Sequence, residues 1–151
     1  KLMVFYDYDK ALAYAKKENK SLFVDFTGVN CVNCRRMEET VWGEPGIIEK
    51  LRDDVVIVSL YVDKKIPLPK EEQTTTIING EKSVATTVGQ KWMNMQIDKY
   101  KTATQPYYVM LGPNGEDLAN KSADYENHSN PKDFQKWLEE GLDLYKKAEK
   151  K

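Results

Sequence analysis

The two cysteines of this 151-residue chain stand two residues apart, Cys31-Val-Asn-Cys34, just downstream of a short apolar run. That run, residues 22–26 (LFVDF), has apolar side chains at both parities, the pattern of a strand covered on both faces. It carries one charge, Asp25, where a buried strand should have none. Gly28 gives the connecting loop 27–30 backbone freedom. Cys34, Met37 and Val41 then follow at i, i+3 and i+7, so a helix is expected from near Cys31, with Asn30 as its cap. This places Cys34 inward and Cys31 at the exposed helix start. An interior strand that feeds a two-cysteine helix start requires a sheet with a layer on each side.

Few chemistries suit such a pair. A disulfide closing so short a loop stabilises by roughly 2 kcal/mol on the loop-entropy estimate, and a chain of this length builds a core without it. A zinc site needs four ligands, and beyond the pair only His128 remains in the histidine and cysteine inventory, so carboxylates would have to complete it. No metal or other cofactor is expected beyond a redox-active Cys31–Cys34 disulfide, and thiol–disulfide exchange is the economical reading. Two alternatives stand beside it: CxxC as a metal-handling thiolate pair, and a redox-inactive binding module with a structural disulfide.

A thiol attacks as thiolate, and at an unperturbed pKa of about 8.5 only about 3% is ionised at neutral pH. The free amides and positive dipole end of a helix N-terminus stabilise the anion at Cys31, with Arg35 and Arg36 one turn on. Cys31 is therefore the expected nucleophile and Cys34 the resolving thiol. Resolution needs a proton acceptor. Asp25, buried in the strand, should have a raised pKa and fits that role. Glu38, one turn after Cys34, is a second candidate for sharing or tuning the proton.

The rest of the chain alternates. Residues 7–19 pattern as a helix, capped by Asp7 or Asp9 and stopped at Asn19. Pro45 is placed to open a further helix that buries Ile47, Ile48 and Leu51. Residues 55–62 form a second β-branched strand, interrupted by Ser59 and far too short to span a bilayer. Residues of about 63–87 look like an insertion, extended around Pro67 and Pro69, with 74–78 before Asn79-Gly80 as one arm of a hairpin. Residues 88–100 form a helix with Val88, Trp92 and Met95 inward. Strands 107–111 and 117–120 flank the turn Gly112-Pro113-Asn114-Gly115. The last helix is capped by Asn130, has Pro131 first, and carries the stripe Phe134, Trp137, Leu138, Leu142 and Tyr145.

Strands separated by helices imply parallel pairing, and the closing hairpin adds an antiparallel strand. The expected fold is α/β: one domain over residues 1–151 with a mixed central sheet and helices on both faces, the thioredoxin arrangement. In that architecture Pro106, just before the third strand, is expected to be cis and to face the cysteines, leaving the Gln105 backbone to pair with a substrate. A net charge of −1 gives no electrostatic reason to expect nucleic acid or an anionic membrane surface as partner.

The segment FVDFTGVNCVNCRRME, with Glu44-Pro45, LYVD at 60–63 and VGQKWMNMQIDKYKTATQPYYVML at 88–111, resembles the C-terminal thioredoxin-like domain of the thiol:disulfide interchange protein DsbD, in its Bacteroidetes-type form. The resemblance covers most of the chain. It implies an extracytoplasmic, periplasmic reductant relay that takes electrons from a membrane-embedded domain and passes them to other thioredoxin-fold or disulfide-bearing proteins. It also implies that Asp25 and Glu38 tune the thiol pKa. The start at Lys1 then suits a mature product, or a domain excised from a larger membrane protein whose missing part would tether it. Such motifs usually carry an aromatic residue before the first cysteine; Val29 and Asn30 stand here.

Overall fold

The computed structural model describes residues 2–151. Its strands are β1 (Val4–Phe5), β2 (Ser21–Thr27), β3 (Val55–Tyr61), β4 (Thr75–Ile78), β5 (Glu81–Val84), β6 (Tyr107–Leu111) and β7 (Asp117–Asp124). Its helices are α1 (Tyr8–Glu18), α2 (Val32–Thr40), α3 (Ile48–Asp53), α4 (Val88–Tyr100), α5 (Tyr125–His128) and α6 (Pro131–Glu149). Five strands form the main sheet in the order β1-β3-β2-β6-β7, and β4 pairs with β5 in a separate hairpin.

β2 is central, as its two-sided apolar pattern requires. Leu22, Val24 and Phe26 face Ala11 and Ala15 of α1 and Trp92 of α4. Phe23 faces the opposite layer, with Met37 of α2, Leu51 of α3 and Phe134 and Trp137 of α6. The Phe23 ring meets Trp42, Tyr108, Phe134 and Trp137 at centroid distances of 5.3–6.2 Å, the range of favourable edge and offset aromatic packing. Helices thus cover both faces of a mixed sheet.

β2 and β3 are parallel over their full lengths. β6, by contrast, runs antiparallel to β2, although a helix separates it from β3. The chain re-enters the sheet at the end where it left: Phe26 pairs with both Leu60 and Tyr107. The Gly89 amide, in the first turn of α4, bonds the Lys64 carbonyl just beyond β3, so α4 starts at the end of the sheet where β3 finishes.

Several boundaries differ from the sequence reading. β1 is too short to leave a pattern. Cys31, not Asn30, caps α2. α3 begins at Ile48, because Pro45 lies in the preceding turn. β7 continues to Asp124 through an irregular register at Val109/Leu111, and Lys121 has a φ of 64°, which breaks the alternation. In α4 the buried side includes Asn94 and Gln96 as well as Trp92. Asn79 and Gly80, at φ 52° and 81°, make the left-handed turn that joins β4 to β5. Among the described residues no helix is long and apolar enough to cross a membrane.

Candidate active site

The site lies where β2 hands over to α2. Cys31 and Cys34 form a disulfide with their Cα atoms 5.3 Å apart. Cys31 is partly exposed and Cys34 is buried. Cys31 Sγ also accepts the Cys34 amide at 3.2 Å and so caps α2 with its own sulfur. The first turn of a helix leaves amide donors without partners, and here one of them is aimed at the sulfur that would carry negative charge.

Asp25 lies on β2, the strand that leads into this turn. Its register partners are Ser59 on β3 and Tyr108 on β6, and it is 1% exposed. The Ser59 hydroxyl donates to Asp25 Oδ2 at 2.8 Å. Burial pushes the Asp25 carboxyl up to about 7. The Ser59 hydrogen bond and the Arg35 charge pull it down, while the Glu38 charge adds to the rise. The neighbouring Tyr108 hydroxyl is pushed well above its ordinary range, by burial first and by the Asp25 charge second.

Arg35 ties the layers together. Its Nη2 donates to Thr27 Oγ1 at 3.0 Å and to the Gly28 carbonyl at 3.5 Å, and pairs with Glu38 at 3.1 Å. Its guanidinium carbon stands 5.9 Å from the centre of the Tyr61 ring. Glu38 is therefore not a free solvated carboxylate; burial raises its pKa, and Arg35 opposes that rise.

The loop before Cys31 is held from β3. Asp63 accepts the Val29 amide on both carboxylate oxygens at 3.0 Å. The Val29 side chain points outward, and Val29 and Val32, on either side of Cys31, are both exposed. On the other flank the Gln105–Pro106 bond is cis and Pro106 is buried. Extending the β2–β6 register by one residue sets Pro106 opposite Thr27, at the base of the cysteine loop. The Gln105 side chain donates to Gln96 Oε1 at 2.8 Å, while Gln96 donates to the Thr104 carbonyl at 2.7 Å.

The structure thus joins Cys31 to Cys34, places the Glu38 charge where it acts on Asp25, and sets Pro106 across from Thr27, with the Gln105 side chain turned to α4. Sequence reasoning missed Ser59, Asp63, Tyr108 and Gln96. Ser59 had a signal, as the one polar residue inside an apolar strand run. Among the described residues no group of three or more His, Cys, Asp or Glu is gathered as a metal site would need. His128 lies elsewhere, its Nδ1 accepting the Asp124 amide at 3.2 Å.

The family model for a thioredoxin-like domain matches residues 8–142. No curated protein matches the chain. Among solved structures, a thioredoxin from Thermus thermophilus is 22% identical with a TM-score of 0.60, over 91% of this chain and 85% of that one. A DsbH oxidoreductase is 18% identical with a TM-score of 0.60, over 96% and 85%. A disulphide isomerase from Xylella fastidiosa is 13% identical with a TM-score of 0.53, over 97% and 98%. At these identities the likeness is one of fold.

Proposed function

The chain belongs to the thioredoxin-like domain family, and from that premise we propose that it is a disulfide reductase domain working as an extracytoplasmic electron relay of the DsbD kind. A thioredoxin-like fold that carries a CxxC disulfide supports thiol–disulfide oxidoreductase activity. The observation that carries the reading further is the buried Asp25 carboxylate on the strand that leads into a cysteine pair split into a partly exposed and a buried residue.

In the reduced protein the Cys31 thiolate attacks one sulfur of a partner's disulfide. A mixed disulfide forms, and the partner's other sulfur leaves as thiolate. Cys34 gives its proton to Asp25 and attacks Cys31 Sγ; the Cys31–Cys34 disulfide forms and the partner's second sulfur is freed. The partner has gained two electrons. An acceptor with a pKa near 7 suits this proton transfer, since it takes the proton and releases it again near neutral pH. Glu38 tunes Asp25 by its charge. The Gln105 main chain, beside the cis Pro106, pairs with the partner's backbone. Partners are other thioredoxin-fold or disulfide-bearing proteins, the donor is a membrane-embedded domain, and no cofactor beyond the disulfide takes part. The DsbD-like residues and the cysteine geometry support the relay reading; the periplasmic setting rests on the resemblance.

The reduction potential tests direction. A value near −270 mV fits a reductant, and one near −120 mV an oxidant. Cys31→Ser should abolish insulin reduction while Cys34→Ser accumulates mixed disulfide; wild-type turnover in Cys31→Ser rejects the reading. An open reading frame with membrane helices ahead of Lys1 is what the relay expects.

A further inference from the structure

Asp25 must not only accept a proton but also lose it again, and its carboxylate is closed off by the protein. The groups that act on it are Ser59 of β3, Tyr108 of β6, and Arg35 and Glu38 of α2. Of these, Ser59 is the one that hydrogen-bonds the carboxylate, at 2.8 Å. The same Ser59 lines a groove of about 450 Å³ together with Tyr6, Tyr61, Lys64, Ile66 and Trp92. The groove is open to solvent and roomy enough for water, and the Lys64 and Arg35 cations border it.

The groove exists because β1 stops early. β1 pairs with Ile57 and Val58 and goes no further, so among the described residues β3 has no strand neighbour on that side from Ser59 to Tyr61. The chain turns away at Tyr6, and the space beside Ser59 opens to solvent. β3 thus separates the carboxylate from water, and Ser59, which bonds the carboxylate, is also a residue of the groove wall.

We propose that Ser59 is a positioning residue that carries the Asp25 proton across β3 to water in the groove bordered by Tyr6, Tyr61 and Lys64. This rests on Asp25 being the acceptor in the resolving step. Once Asp25 has taken the Cys34 proton, its carboxyl O–H gives that proton to Ser59 Oγ while Ser59 passes its own hydroxyl proton to a groove water. The carboxylate is regenerated, the hydroxyl turns back to donate to Oδ2, and hydronium leaves through the groove. No electrons move in this step.

The test follows two signals in the full chain after rapid mixing above pH 7, where Asp25 starts as the carboxylate: release of thionitrobenzoate from a preformed Cys31 mixed disulfide, and appearance of the proton in weakly buffered solution by an indicator dye, in wild type, Ser59→Ala, Ser59→Thr and Asp25→Asn. Thiol release reports the Cys34-to-Asp25 transfer, and proton appearance reports the later exit from Asp25. In wild type and in Ser59→Thr, which keeps the hydroxyl, the proton should keep pace with the thiol within about twofold. In Ser59→Ala the proton should lag the thiol on the order of tenfold, at the modest end of proton-transfer effects. A small general base that enters the groove, such as formate, should shorten that lag. Proton appearance that keeps pace with thiol release in Ser59→Ala overturns the proposal, as does an equal lag in Ala and Thr. If Asp25→Asn releases thiol like wild type, the acceptor assignment falls as well; if Asp25→Asn is slow and Ser59→Ala shows no lag, only the relay falls.

Discussion

Both carboxylate oxygens of Asp63 lie 3.0 Å from the Val29 amide, across the mouth of the site. The residue is supplied by the turn after β3, whose parallel register with β2 brings Tyr61 opposite Thr27. It answers what the missing aromatic residue before Cys31 leaves open: the loop is fixed by its backbone, so Val29 can point outward. A Cβ on Gly28 would stand 3.2 Å from Asp63 Oδ2, so glycine leaves room for this contact.

Asp63→Ala should therefore free the loop without unfolding the chain. Hydrogen bonds to charged groups contribute about 1.5–3 kcal/mol when sheltered, and this one is exposed, so a loss of about 1 kcal/mol is expected in chemical denaturation. Hydrogen exchange at the Val29 amide should accelerate while β2 stays protected. Unchanged exchange at Val29 would show that the contact does not hold the loop.

Asp25 links stability to pH. Its pKa is 3.8 unfolded and about 7 folded, raised chiefly by burial. Between those values the folded protein binds the proton and the unfolded chain does not. The penalty is absent below about pH 4, grows as pH rises, and is complete above about pH 7. The gap converts to on the order of 4 kcal/mol at about 1.36 kcal/mol per pH unit, an upper figure for a group that can relax. Oxidised Asp25→Asn should thus be more stable than wild type at pH 8 and lose the downward slope between pH 4 and 7. Urea denaturation at several pH values checks it; parallel curves for the two proteins would mean that Asp25 titrates near its ordinary value.

Asp25 and the two cysteines were legible because each breaks a pattern: a charge in an apolar strand, and a pair at a strand-to-helix junction. The layers followed from helix and strand periods. What stayed hidden depends on register, which sequence does not carry. Ser59 is one polar residue among β-branched neighbours until pairing sets it across from Asp25. Gln96 is a polar residue in a helix until the strand entry folds back on it. β1 is too short to have a period, and the irregular pairing of β6 with β7 moved the end of β7 by four residues, from Asn120 to Asp124.

Arg35 and Glu38 act on Asp25 with opposite sign. The Arg35 cation favours the Asp25 carboxylate and the Glu38 anion disfavours it. Arg35→Met should raise the Asp25 midpoint and Glu38→Gln should lower it, both seen by carboxyl carbon NMR across pH 4–9. Their 3.1 Å ion pair couples the two, so the double variant should fall between the singles. Shifts of the same sign in both singles would show that the variants act through packing instead of charge.

Gln96 connects helix α4 to substrate recognition. It is fully buried, bonds the Thr104 carbonyl at 2.7 Å and accepts the Gln105 side chain at 2.8 Å, which anchors the strand entry just before Pro106. Gln96→Ala takes the donor from the Thr104 carbonyl, and because Thr104 is exposed and water can replace that donor, the cost is about 1 kcal/mol. The loosened entry would present the Gln105 main chain poorly to an incoming peptide. KM for a protein disulfide should rise several-fold, while reduction of a small aromatic disulfide, which needs no backbone pairing, should keep its rate. Equal losses on both substrates would place the effect of Gln96 in general stability and remove the strand entry from substrate binding.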